Sequence, residues 1–340
     1  MSRYRDAGPE GPRGEGRRRV AALLLLLSGC AVRGPSADAG GNVAAALLSE
    51  RGSIQPGRPF TVGLQMKIRR GWHIYWKNPG DSGLPPRITW ELPEGLSAGP
   101  IEWPAPERIR DDALMSYGYR GEVLLPVEIV PPTRLAVDSV ALVGTLEWLE
   151  CADVCVPGSA VVRLSLPVRP EPPAPGPAAP SFASARSRIP EAPTGWALRA
   201  EAGPRAISLE FHDPPGSSPR GAYLFVDQPL VADYAAPQGF ERLAGGYRLS
   251  VPPAPNARGA IERLTGVLVL EGGSGPGSRT AVQVDVPVAR GDPAPVPSRG
   301  SPPPALIVVA AGTGLGLAIL LLRFTRTARR KSRSRREPNG

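Results

Sequence analysis

Two cysteines four positions apart are the residues of this chain best suited to chemistry. They lie in Trp148-Leu149-Glu150-Cys151-Ala152-Asp153-Val154-Cys155-Val156-Pro157-Gly158; a third, Cys30, stands alone near the start. The segments on either side of the pair are β-prone, so the three residues between read as a hairpin turn. Facing Cα atoms at such a mouth are about 5.5 Å apart, a separation that a disulfide accepts. Three uses of the pair stay open. A structural bridge is one, although closing so short a loop yields little chain-entropy stabilisation. A bridge that opens and closes is the second. In the third, the two thiolates of Cys151 and Cys155 hold a soft ion such as Cu(I), with Met115 or His73 as a further ligand that nothing in the spacing demands. No other metal site and no cofactor is expected. The two histidines, His73 and His212, fall on probable strands, and no glycine-rich phosphate loop or carboxylate pair suggests another reaction.

The elements that must hold this pair are short strands. Proline contributes 43 residues and glycine 40 of 340, which argues against a helical bundle. Phe60 to Ile68 alternates, Val123 to Val130 is apolar around Pro126, and Val140 to Leu149 is long and β-prone, with Val161 to Leu166 following. Turn clusters at Asn78-Pro79-Gly80-Asp81-Ser82-Gly83 and Pro93-Glu94-Gly95 separate them. Seven or eight such strands predict a β-sandwich over residues 43–168. A proline-rich stretch, residues 169–180, reads as a semi-rigid spacer without backbone partners. A second, smaller sandwich is expected over 181–288, opening with a short helix near Phe182 to Ile189. Another proline-rich linker, 289–304, follows.

The ends carry the charge. The net +9 divides into +3 over residues 1–19, +7 over 323–340 and −1 over everything between. A neutral body excludes the basic face that a nucleic-acid surface needs. The Arg-rich start runs into Val20-Ala21-Ala22-Leu23-Leu24-Leu25-Leu26-Leu27, too short to span a bilayer but suited to a secretory signal. Leu27-Ser28-Gly29-Cys30 resembles the bacterial lipobox, which makes residues 1–30 a signal peptide and Cys30 the lipidation site. Residues 305–322 carry no charge and make a helix about 27 Å long, enough to span. The basic tail, 323–340, then stays cytoplasmic. The body lies outside the inner membrane, where disulfides persist.

The longer motifs resemble a known family. Gly71-Trp72-His73-Ile74-Tyr75-Trp76-Lys77-Asn78-Pro79-Gly80-Asp81-Ser82-Gly83, Trp103-Pro104-Ala105-Pro106, Tyr117-Gly118-Tyr119 with Leu125-Pro126-Val127, and the cysteine segment are similar to the N-terminal periplasmic domain of DsbD-type thiol:disulfide interchange proteins, in the form of the ScsB-like members. Ala235-Ala236-Pro237-Gln238 and Gly266-Val267-Leu268-Val269-Leu270 resemble the region that follows in those members. The resemblance implies a mainly β chain with two immunoglobulin-like sandwiches in tandem. It implies that Cys151 and Cys155 are catalytic, form a redox-active disulfide and exchange electrons with periplasmic thiol-disulfide proteins, with Cys155 bonding the partner. It makes the segment Asp112 to Tyr119, with Asp112, Met115, Tyr117 and Tyr119, a cap that shields the pair, with a plain inter-strand loop as the alternative. The best-known members place more residues between the two cysteines. The 340 residues hold no counterpart of the family's multi-helix membrane domain or thioredoxin-like domain, so a separate electron donor is expected. A non-catalytic envelope binding protein and a copper-stress protein are the competing expectations.

Overall fold

The computed structural model describes residues 41–212, 218–257, 261–272 and 279–290. The signal segment with Cys30, the linker beyond Arg290, the apolar run 305–322 and the basic tail lie outside them. Among the described residues, no helix is long and apolar enough to cross a membrane.

In chain order the strands are β1 (Val43–Ser49), β2 (Phe60–Ile68), β3 (His73–Gly80), β4 (Arg87–Glu91), β5 (Ser97–Ile101), β6 (Glu107–Asp111), β7 (Leu114–Tyr119), β8 (Glu122–Val130), β9 (Ser139–Cys151) and β10 (Cys155–Pro167). Helix α1 (Ala179–Arg186) follows. Then come β11 (Ala197–Ala202), β12 (Ile207–His212), β13 (Gly221–Val226), β14 (Gly239–Leu243), β15 (Gly246–Val251), β16 (Arg263–Glu271) and β17 (Arg279–Arg290).

The first ten strands make two sheets. One runs β1-β2-β8-β5; the other runs β10-β9-β3-β7-β6, with β4 also paired to β9. Strict alternation explains the layering. Every second residue of β1 is buried, as is every second residue of β9 from Val140 to Glu150. Leu47, Val62, Leu64, Leu125 and Val127 from one sheet meet Ile74, Trp76, Leu142, Leu146 and Trp148 from the other in one core. Pro126 sits inside β8 opposite Gly63, where β5 breaks register between Ala98 and Ile101. A proline lacks the N–H a ladder needs, and a bulge in the partner strand accommodates it.

Strand β8 is buried continuously from Val123 to Val127 because both of its faces are covered. The second cover is α1, whose Phe182 packs on Leu124. The helix read from sequence as opening the second unit therefore seals the first. Its route there is the proline-rich stretch, which runs along the edge of the first sandwich rather than spanning free. Gly52 N donates to Ala174 O at 2.9 Å, Arg169 N to Ile54 O at 2.9 Å and Gly176 N to Glu50 O at 2.7 Å. Prolines remove donors but leave every carbonyl able to accept. Arg186 then grips Glu50 with two bonds of 2.5 and 2.6 Å.

The remaining strands form one seven-stranded sheet, β13-β16-β17-β11-β12-β15-β14. The long β17 pairs antiparallel with β16 and, at its end, parallel with β11. An aromatic cluster joins the two halves. Tyr117 lies 4.8 Å from Phe225 and 5.3 Å from Tyr234, ring to ring, and Trp76 packs edge-on at 6.3 Å from Phe225. Tyr117 and Tyr223 share a hydroxyl hydrogen bond of 2.8 Å.

Phe182→Ala should destabilise the first sandwich by about 3–5 kcal/mol in urea denaturation, as large-to-small core substitutions do. Limited proteolysis of the native protein should spare residues 169–176, because their backbone is held.

Candidate functional site

The site begins with the pleat of β3. His73 stands opposite Cys151, and Ile74 opposite Glu150. Successive side chains of a strand point to opposite faces. Ile74 and Trp76 therefore enter the core, together with Trp148 from β9. His73 and Tyr75 share the other face with Cys151. On β7, Tyr75 stands opposite Gly118 and Ile74 opposite Tyr119. Gly118 and Ser116 thus belong to the disulfide face.

Cys151 closes β9 and Cys155 opens β10, directly opposite each other, with Cα atoms 4.1 Å apart. Their sulfurs are bonded. The turn between them is closed by Ala152 N donating to Val154 O at 3.1 Å. The Cα separation is shorter than the about 5.5 Å of a hydrogen-bonded antiparallel pair. The two sulfurs differ in access: Cys151 is 1 % exposed, whereas Cys155 lies on the surface. Val154, 64 % exposed, and Val156, 40 % exposed, flank Cys155 as an apolar rim.

Tyr75 covers the buried sulfur. Its Oη donates to Cys151 Sγ at 2.8 Å and lies 3.6 Å from Cys155 Sγ. Burial raises the Tyr75 phenol above its ordinary value, and the Asp111 charge acts in the same direction. The hydroxyl is therefore a proton-bearing donor at neutral pH. A disulfide sulfur is a weak acceptor and a thiolate a strong one, so this bond strengthens on reduction.

A turn holds Tyr75 in place. Gly80 and Gly83 both adopt positive φ, 85° and 110°. A Cβ at Gly83 would lie 2.1 Å from the Tyr75 ring, so the backbone there presses on the aromatic face. Asp81 ties the turn to β7: its N donates to Met115 O at 3.0 Å, and its carboxylate accepts from Met115 N at 2.7 Å.

His73 packs edge-on against Tyr75, with ring centroids 5.2 Å apart. It is buried, and its Nε2 has no hydrogen-bond partner. Burial lowers its pKa below 6.5; the Arg120 charge adds to this and Asp111 opposes it. Among the described residues, no group of three His, Cys, Asp or Glu side chains is placed to hold a metal.

The other residues singled out in the sequence take different positions. Met115, Tyr117 and Tyr119 belong to the core cluster, on the face of β7 opposite the disulfide. Tyr117 lies at the junction of the two halves, and Tyr119 Oη donates to Pro104 O at 2.7 Å. Burial raises both phenols. Asp112 occupies the β6–β7 turn with a positive φ of 47°. Glu150, next to Cys151 in sequence, turns away from it. Its Oε1 accepts from Asn42 N and Nδ2, each at 3.0 Å, and its Oε2 from Trp148 Nε1 at 2.9 Å. Its charge is thus held on the core face and not beside the sulfur. The sequence reading missed Tyr75 as a site residue and gave His73 only a possible metal role. The period of two in His73-Ile74-Tyr75-Trp76 puts the first and third residues on one face. Which face meets the cysteines follows only from the pairing of β3 with β9.

The His73 environment sets a pH dependence. A histidine whose folded pKa is depressed is bound by more protons in the unfolded chain, so stability falls as pH drops below about 6.5. His73→Phe should flatten that decline in thermal melts between neutral and mildly acidic pH.

Residues 45–167 match the family model of the thiol:disulfide interchange protein DsbD, N-terminal. A search of curated proteins gives no match. Among solved structures, the chain is similar to the N-terminal periplasmic domain of ScsB from Proteus mirabilis, at 20 % identity and a TM-score of 0.53, covering 75 % of this chain and 97 % of that one. A protein of unknown function from Porphyromonas gingivalis W83 aligns at 13 % identity and a TM-score of 0.23, covering 72 % of this chain and 100 % of that one. The matched residues hold both sheets of the first sandwich, the disulfide and Tyr75, so that residues 45–167 are similar to a DsbD-type N-terminal domain.

Proposed function

We propose that the chain is an envelope thiol-disulfide exchange module. Cys151 and Cys155 pass reducing equivalents between a separate electron donor and periplasmic thiol proteins. The observation that carries this reading is the unequal exposure of the pair: Cys151 buried beneath a phenol, Cys155 open to solvent. A purely structural bridge has no need of a buried hydroxyl donor at one sulfur and an accessible apolar rim at the other.

The chemistry follows from that asymmetry. In the reduced state, the Cys155 thiolate attacks one sulfur of a partner disulfide. A bond forms between Cys155 and the partner, and the partner's second sulfur leaves as a thiolate. Cys151, deprotonated, then attacks Cys155 Sγ. The internal disulfide closes, the partner's first sulfur leaves, and two electrons have moved to the partner. The two protons lost by the cysteines end on the partner's thiols through solvent. Tyr75 serves the second step. Water cannot reach Cys151, so its thiolate needs a hydrogen-bond donor within the protein, and Tyr75 Oη is at 2.8 Å. The exposed Val154 and Val156 offer the partner a desolvated seat around Cys155. Re-reduction of the pair by the donor runs the same steps in reverse.

The Asp112 turn, at the end of β6 whose Asp111 charge is felt at Tyr75 and His73, is the part of the proposed cap nearest the site. Location belongs to the same proposal. Export by residues 1–30, a lipid on Cys30, and a helix over 305–322 would hold the body in the periplasm at the inner membrane. The likeness to a periplasmic domain of ScsB supports the side of the membrane.

Cys151→Ser should trap a partner on Cys155 as a mixed disulfide, seen as a reductant-sensitive adduct on non-reducing gels of the envelope fraction. Cys155→Ser should trap far less, because the remaining sulfur is covered. Equal absence of adducts in both variants, with a bond that resists mild reductant, would leave a structural bridge in a binding protein.

A further inference from the structure

We infer that Asn78 is a positioning residue through which the second half of the molecule completes the redox site. The inference rests on the exchange reading above. Its basis is an excursion in β3. Tyr75 stands opposite Gly118 and Gly80 opposite Ser116, so four residues of β3 face one of β7. The extra chain, Trp76 to Pro79, bulges toward the second half and is gripped there. Trp76 packs on Phe225, and Lys77 pairs with Asp227 at 2.8 Å.

Asn78 does the most specific part. It is 2 % exposed and every hydrogen bond it makes is internal. Its Oδ1 accepts from Gly80 N at 3.1 Å, which shapes the return of the excursion. Its Nδ2 donates to Val226 O at 2.7 Å and to Tyr234 Oη at 3.3 Å, both in the second half. One amide therefore joins the turn that presses Gly83 on Tyr75 to the carbonyl and hydroxyl of the other half. A buried amide left without these partners would seek water and carry the turn with it. The Tyr75 ring would then lose the surface that aims its hydroxyl at Cys151 Sγ. The second half is in this sense a wall of the site, although it contains no cysteine.

The test reads the Cys151 thiol directly, in the full chain carrying Cys155→Ser, by pH titration of thiolate ultraviolet absorbance. Tyr75→Phe should raise the Cys151 pKa by about one unit or more, a tenfold loss of thiolate at a given pH. Asn78→Ala should raise it comparably. Tyr234→Phe, which leaves the turn's own residues intact and guards against a misfolded Asn78 variant, should shift it the same way by less. Arg110→Ala is the control. Its guanidinium also crosses the junction, to Ala235 O at 3.3 Å, but it lies on β6 outside the excursion. It should lower the melting temperature and leave the pKa unchanged. A shift in Tyr75→Phe without one in Asn78→Ala or Tyr234→Phe would overturn the inference and leave the exchange function standing. An equal shift in Arg110→Ala, or none in Tyr75→Phe, would overturn it as well. Failure of the exchange reading would show instead as absence of trapped partners.

Discussion

The pairing of β3 with β9 is the contact on which the site depends. It sets His73 against Cys151, and the pleat then assigns every neighbour to one of two faces. Ile74, Trp76, Trp148 and Glu150 go inward; His73, Tyr75 and Cys151 go to the other side. A slip of one residue would bury Tyr75 in the core and bring Trp76 to the disulfide. The same strand therefore carries the packing of the sandwich and the environment of the sulfur.

That double use explains the length and composition of the excursion within β3 and of the turn that follows it. A strand that simply ended at Tyr75 would leave the phenol unsupported. Here the chain leaves the sheet, inserts Trp76 to Asn78 against the second half, and returns through Gly80 and Gly83 over the ring. The two positive φ values at those glycines are what allow so close a return. Aromatic rings from both halves fill the junction around Tyr117, so the excursion is held on a rigid surface. On the exchange reading proposed above, that rigidity keeps the donor aimed at sulfur before a thiolate forms.

The exposure of Cys155 and the burial of Cys151 arise from equally local causes. Cys155 starts an edge strand, since β10 has a neighbour on one side alone. Cys151 ends a strand that is flanked on both sides and roofed by Tyr75. Adjacent charge in sequence is misleading in this setting. Glu150 is bonded to Cys151, yet its carboxylate is satisfied by three N–H donors on the opposite face.

Much was legible from residue order alone. Alternation in Phe60 to Ile68 and in Val140 to Leu149 marked strands, and the cysteine spacing marked a hairpin mouth, because both signals are local and repeat every two residues. The proline-rich stretch shows where such reading stops. Composition announced the loss of donors but not the remaining N–H and C=O groups that strap residues 169–176 to the first sandwich, nor that α1 packs on β8. Met115, Tyr117 and Tyr119 read as one aromatic-rich cap, while the register of β7 sends all three to the core face. Tyr75 stood in a recognised motif but acquired its meaning at the disulfide only when a strand 76 positions away was laid beside it. Sequence determined the first sandwich's strands and the cysteine pair, since these depend on neighbours along the chain. The tertiary structure alone decided which side chains face the sulfur, since strand pairing joins residues that no local pattern connects.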